Sequence, residues 1–196
     1  MAERIPFDTE IRKNCVYVSV TKLMPAPPDG ELYPSRTRRA SSIGTAFFVH
    51  RPSFGVPGRS YLLTCAHVIS RSIPGMIKIM IGGEHGNEHT ARVECVSPDH
   101  DVACLSVELA PDEVRQVYFA SLLSDPLTSL PLGTKLYAAG FGMGLNLAVS
   151  SGTFDSVEGG LLRISSPINP GNSGGASFAV VRGKPVVVGI NSSGIT

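Results

Sequence analysis

Pro170-Gly171-Asn172-Ser173-Gly174-Gly175-Ala176-Ser177-Phe178-Ala179-Val180-Val181 decides between two architectures. Its first six residues can form a tight turn that exposes a serine hydroxyl and leaves neighbouring N–H groups aimed at a developing oxyanion. Gly171 to Gly175 also satisfies a G-x-S-x-G nucleophile elbow, which needs a helix directly after the serine, then an acid and a histidine further on. Ala176 to Val181 is instead an apolar run of the strand type. Residues 174–196 contain no His, Asp or Glu. The α/β reading therefore fails, and the partners of Ser173 must lie upstream.

A serine hydroxyl is a poor nucleophile at neutral pH and needs a base to take its proton. Imidazole suits that task because its ordinary pKa lies near the working pH. Thr64-Cys65-Ala66-His67-Val68 follows the apolar strand residues Tyr61 to Leu63. His100-Asp101-Val102-Ala103 sets an aspartate at the mouth of a second apolar strand. Taken singly, these are an ordinary turn serine, core histidine and turn aspartate. Together they stand in the order His67, Asp101, Ser173, which is the chymotrypsin order of a catalytic triad. His67 is then the base, Asp101 fixes its tautomer and Ser173 attacks. Cys65 lies close to His67, but a cysteine nucleophile there would leave Ser173 without a role.

Outward from these residues the chain reads as short strands punctuated by 21 glycines and 15 prolines. Strands are expected at 14–23, 43–50, 60–65, 76–81, 89–97 and 102–108, and then at 134–140, 146–157, 160–166, 175–181 and 185–191. Pro25 to Ser42 reads as a polar surface loop and Arg51 to Arg59 as a hairpin tip. Pro111 to Val114 opens a short helix. The expected fold class is all-β; six strands, a linker and five strands suggest two successive antiparallel β-barrels of the six-stranded type, which strand periodicity alone does not separate from a sandwich. The division is residues 1–110 for a first lobe carrying His67 and Asp101, 111–131 for a linker, and 132–196 for a second lobe carrying Ser173. The active site falls in the cleft between the lobes.

Length and charge narrow the class further. The chain has 196 residues, 42% of them apolar, and a net charge of +1. It can bury a real core, and nothing selects nucleic acid or a membrane surface as partner. MAERIPFDTEIRKN at the start lacks the apolar stretch of a secretory signal, so a cytoplasmic location is expected. Cys15, Cys65, Cys95 and Cys104 are then free thiols. No C-x-x-C pair is present, and His85 and His89 lie in a Gly-rich turn, so no metal or cofactor is expected. Arg36, Arg38 and Arg39 read as a solvated loop.

The motifs resemble those of trypsin-like peptidases of the HtrA/Deg type. Gly44-Thr45-Ala46-Phe47-Phe48-Val49 is similar to the family's glycine-led strand, and Thr64 to Val68 to its T-x-A-H-V. Asp101 to Leu105 is similar to its D-[IV]-A-x-L, and Ile168 to Gly175 matches its I-N-P-G-N-S-G-G almost letter for letter. The resemblance implies a serine endopeptidase acting on polypeptides. It implies backbone N–H groups of Gly171 and Ser173 as the oxyanion hole, and a specificity pocket involving Ile168, Ile190, Asn191 and Ser192. That pocket has no carboxylate, so an uncharged aliphatic residue is expected on the acyl side of the cut. Asn172 stands where digestive relatives carry an aspartate that pairs with a freed N-terminus, so no such activation is expected. The chain departs from the family in three ways. No PDZ module follows, the Ser156–Leu161 segment is short, and the sequence stops where a last strand usually comes. Either the second barrel has an open edge, or this is a domain cut from a longer protein with a further domain or regulatory partner. A non-catalytic binding module on the same fold is the rival from another class.

Overall fold

The computed structural model describes residues 5, 7–25, 37–144 and 146–192. A helix, α1 (Asp8–Asn14), leads into β1 (Cys15–Pro25) and β2 (Thr37–Val49). Then come β3 (Ser60–Thr64), the single turn α2 (Ala66–Ile69), β4 (Ser72–Ile81), β5 (Asn87–Thr90), β6 (Arg92–Ser97) and β7 (Val102–Val107). The short helices α3 (Pro111–Val114) and α4 (Pro126–Ser129) flank β8 (Ser121–Leu122). The chain continues through β9 (Lys135–Gly140), β10 (Ala148–Glu158), β11 (Leu161–Ile164), β12 (Ala176–Val181) and β13 (Lys184–Ile190).

The strands form a seven-stranded sheet, β5-β4-β1-β2-β3-β7-β6, and a six-stranded sheet, β11-β10-β9-β12-β13-β8. In the first, β5 and β6 sit at opposite ends of the order yet are separated only by Ala91. That residue is buried, and its N–H donates to Ile77 O at 2.9 Å. Joining both ends through one residue forces the sheet to curl on itself. In the second sheet, Leu162 and Ile164 of one edge and Leu123 just beyond the other pack on the same cluster of Leu130, Leu136, Phe154, Ala179 and Val188. The result is the expected all-β pair of curled sheets.

Strand alternation sorts the core, because successive side chains point to opposite faces. Ala46, Phe48, Leu62 and Leu105 fill the first barrel, while their neighbours Phe47, Val49, Tyr61 and Cys104 face the second sheet. There they meet Tyr137, Ala139, Ala176, Phe178 and Val187. Each large apolar side chain so buried stabilises the docking of the two sheets by roughly 1.5–3 kcal/mol. A one-residue slip in any of these strands would exchange barrel interior for interface.

Three local readings change. Residues 37–42, expected as loop, are strand: β2 starts at Thr37 and pairs with β1 from Cys15↔Phe47 to Pro25↔Thr37. Residues 39–43 of this arm are exposed or half-buried, and the polar residues of the arm carry no apolar alternation to read; residues 26–36 lie outside the described residues. The single strand expected at 89–97 is two, broken at Ala91 where the sheet turns its corner. The stretch between the lobes contributes β8, which pairs in parallel with Val186 and Val187 of β13. Between Ser156 and Leu161 the chain makes a tight hairpin, with both Gly159 and Gly160 at positive φ, 57° and 79°.

Candidate active site

His67 sits on α2, a single turn held at both ends. Ala66 N–H donates to the Asp101 carbonyl at 3.1 Å, and Val68 N–H to Cys65 O at 3.2 Å. Asp101 follows a 3₁₀ turn over Pro98–His100 and adopts the left-handed conformation, φ 52°, its own N–H returning to Pro98 O at 3.1 Å. Aspartate tolerates that conformation better than most residues. The turn aims its carboxylate at His67. Oδ1 accepts the His67 main-chain N–H at 2.9 Å, and Oδ2 faces the ring Nδ1 at 2.7 Å. One carboxylate therefore fixes both the backbone and the ring, which favours the proton on Nδ1 and a free lone pair on Nε2. Ser192 adds a third bond, its hydroxyl donating to Asp101 Oδ2 at 3.2 Å. Burial pushes the Asp101 carboxyl up, but the bonds from the His67 N–H, the His67 ring and Ser192 outweigh it and hold it below its ordinary value.

The serine turn is equally constrained. Asn172 N–H donates to Asn169 O and Gly175 N–H to Asn172 O, both at 2.9 Å. Gly174 stands at φ +84°, and a Cβ there would lie 2.2 Å from both Thr45 O and Thr64 Oγ1, and 3.1 Å from Cys65 N. Only glycine lets the turn press this closely on the chain leading to His67. Thr45 clasps the turn: its N–H donates to Ser173 O at 2.9 Å, and its hydroxyl donates to Gly171 O at 2.8 Å while accepting the Phe141 N–H at 2.9 Å. The Asn191 carbonyl closes the arrangement, accepting the Gly174 N–H at 2.8 Å and the Cys65 thiol at 3.4 Å. Ser173 is buried, 6% exposed.

The backbone before the serine has a defined orientation. Met143 N–H donates to Pro170 O at 2.6 Å. In a trans peptide the carbonyl and the next N–H point in opposite directions. The Gly171 N–H is thus turned away from Met143. Gly171 itself is at φ +95°.

The remaining predicted site residues are placed as follows. Ile168 is half-buried just ahead of the turn, and Ile190 is half-buried against both the first barrel and the interface. Asn191 is buried with its amide turned into the sheet, donating to Ala139 O at 3.0 Å and accepting from Ser177 Oγ at 2.7 Å. Ser192 is exposed apart from its bond to Asp101. Glu158 is paired with Arg163 at 2.8 Å at the hairpin tip. Burial pushes the Cys65 thiol up to about 12, the nearby Asp101 carboxylate adding to it. An apolar cavity of about 700 Å³ opens elsewhere, lined by Phe54, Leu63, Val102 and Leu122 among others and by none of these residues. Sequence reading missed the structural roles of Thr45, of Met143 and of Thr64, whose hydroxyl donates to Thr45 O at 2.7 Å. No local signal identifies them, because their partners lie far along the chain.

Residues 44–190 match the family model described as trypsin-like peptidase domain. A serine protease DegP homolog of Plasmodium falciparum is 33% identical over 137 residues, covering 66% of this chain and 15% of that protein. A probable periplasmic serine endoprotease DegP-like of Halomonas elongata is 29% identical over 177 residues, covering 86% of this chain and 32% of that one. The chain thus spans a third or less of the length of these relatives. Among solved structures, the HtrA-type protease AlgW with decapeptide shares the fold at a TM-score of 0.68 and 22% identity, over 95% of this chain and 57% of that one. The same protease with a tripeptide gives 0.68 over 93% and 52%.

Proposed function

Because the chain belongs to the trypsin-like peptidase domain family, we propose that it is a serine endopeptidase domain that cuts polypeptides through an acyl-enzyme, with Ser173, His67 and Asp101 as its triad. The observation that carries this reading is the Asp101 carboxylate held against His67 Nδ1 at 2.7 Å, on the strand ends against which the Ser173 turn packs.

His67 Nε2 takes the proton as Ser173 Oγ attacks the scissile carbonyl carbon. The negative charge that develops on the carbonyl oxygen is met by the N–H groups of Gly171 and Ser173. His67 then protonates the leaving amine, the C–N bond breaks, and water activated by the same imidazole releases the acyl group. The carboxylate of Asp101 stabilises the imidazolium in both halves. Ile168 and Ile190 offer an apolar binding surface without a charge. An unpaired substrate ammonium there would cost several kcal/mol, on the order of 2–7. Aliphatic residues are therefore preferred on the acyl side and Lys or Arg excluded.

The test is a peptide-library cleavage profile of the chain beside Ser173→Ala, with fluorophosphonate labelling of both. Hydrolysis after aliphatic residues and labelling are expected in the parent, and both disappear in the variant. Undiminished hydrolysis by Ser173→Ala refutes the triad; a profile dominated by Lys or Arg refutes the pocket.

A further inference from the structure

The Cys65 thiol, the His67 imidazole and the Asp101 carboxylate form a cluster that sequence spacing hides. Their ligand atoms lie within 4.8 Å of one another. The thiol forms the buried floor, 1% exposed, while the imidazole and carboxylate side chains are 45% and 35% exposed and form an open rim. The Ser192 hydroxyl adds a neutral oxygen, 3.2 Å from Asp101 Oδ2.

We propose that these residues form an inhibitory site for Zn²⁺, ligated by Cys65 Sγ, His67 Nδ1 and an Asp101 oxygen, with the fourth position left to water or Ser192. The donor set is one thiolate, one imidazole and one carboxylate, which suits zinc. Donors on a tetrahedral zinc stand roughly 3.3–3.6 Å apart, from Zn–N and Zn–O near 2.0 Å and Zn–S near 2.3 Å. The Nδ1···Oδ2 contact of 2.7 Å therefore opens by less than about an ångström and the sulfur moves in. A thiolate beside a carboxylate is repulsive on its own; a dication reverses that sign, and the two anions neutralise it.

The protons balance. Zinc displaces the Cys65 proton, so one proton leaves to solvent for each ion bound. To ligate through Nδ1, the ring proton moves from Nδ1 to Nε2. His67 then holds its proton on the nitrogen that would have to accept one from Ser173. Metal binding itself is independent of the peptidase reading; the inhibition rests on it.

The experiment uses the chain carrying Cys95→Ala, which removes the exposed thiol. Equimolar Co²⁺ serves as the spectroscopic probe. A thiolate-to-cobalt charge-transfer band is expected, lost in Cys65→Ala and in the near-isosteric Cys65→Ser. Zn²⁺ is then titrated against peptide hydrolysis, each variant normalised to its own metal-free rate. Loss of one ligand is expected to weaken inhibition roughly a hundredfold or more, since even a supporting partner typically costs ten- to a hundredfold in metal affinity. Equal inhibition of the parent and Cys65→Ala, or no cobalt band, overturns the site. Failure of the peptidase reading looks different: the cobalt band persists with no metal-free hydrolysis to inhibit.

Discussion

The main-chain N–H of Thr45 donates to the carbonyl of Ser173 at 2.9 Å, so a strand of the first sheet holds the serine turn that follows the second sheet's β11. Thr45→Val keeps this bond and the β-branched shape but removes the hydroxyl. Gly171 O and Phe141 N–H, both served by that hydroxyl, are left without it. Each buried group left unsatisfied costs about 1–3 kcal/mol. The urea midpoint should fall, and kcat should drop more than KM rises, because the turn loosens where charge develops. An unchanged midpoint with unchanged kcat would show the clasp to be idle.

Two glycines with left-handed backbone should respond differently to alanine. Gly183 is at φ +74° with nothing among the described residues within 4 Å of an added Cβ, whereas Gly174 at +84° would place that carbon 2.2 Å from Thr45 O. Gly183→Ala should cost only the conformational term, about 1–2 kcal/mol. Gly174→Ala adds a collision with main chain and should exceed about 4 kcal/mol or prevent folding. Thermal melts of the two variants side by side decide it; equal losses would mean the turn can retreat from β2.

Met143 is an exposed non-glycine residue held at φ +58°, and it is its N–H that bonds Pro170 O. On the proposed mechanism it positions the peptide that carries the Gly171 N–H. Met143→Gly keeps the donor and relieves the strained φ, and should retain turnover. Met143→Pro removes the donor and forbids the conformation. It should lower kcat by up to about a hundredfold, the scale of losing an oxyanion donor, with KM little changed. Equal kcat in the two variants would remove Met143 from this role.

Glu113 links α3 to the first sheet. Its carboxylate accepts the Ala110 N–H at 3.0 Å, the Asn87 amide at 3.2 Å and faces His89 Nε2 at 2.9 Å. The Ala110 bond leads in holding this carboxyl below its ordinary value; burial opposes, and Asn87 and His89 add to the lowering. A lowered carboxyl contributes stability that is present above its unfolded-state value and lost as pH falls through the folded one. Glu113→Gln should therefore unfold at lower urea than the parent at neutral pH, and the gap should close in strong acid. A gap independent of pH would assign the loss to packing instead of charge.

The candidate site residues stand out in the sequence because they sit in short words: a serine between glycines, a histidine after an apolar strand, an aspartate before one. Two of those words name His67 and Asp101, whose Nδ1 and Oδ2 stand 2.7 Å apart. Relations between distant residues were not legible. Thr45 and Gly171 are 126 positions apart, and nothing near either announces the other. The β2 arm escaped because Arg38, Arg39, Ser41 and Ser42 give no alternation to read. β8 escaped because two residues joined by parallel pairing leave no pattern at all. The corner at Ala91 sits inside what reads as one continuous strand.

That corner has a kinetic meaning. An ordinary sheet frays from its outer strands inward, each edge opening by itself. Here the outermost strands on the two sides, β5 and β6, are joined directly through Ala91, so peeling either one away pulls on the other. Local opening of the first barrel becomes a concerted event. Amides that bond β5 to β4 and those that bond β6 to β7 should exchange with solvent deuterium with similar protection, although they lie at opposite ends of the strand order. Lengthening the corner by a few flexible residues should uncouple them, and protection at the two ends would then diverge.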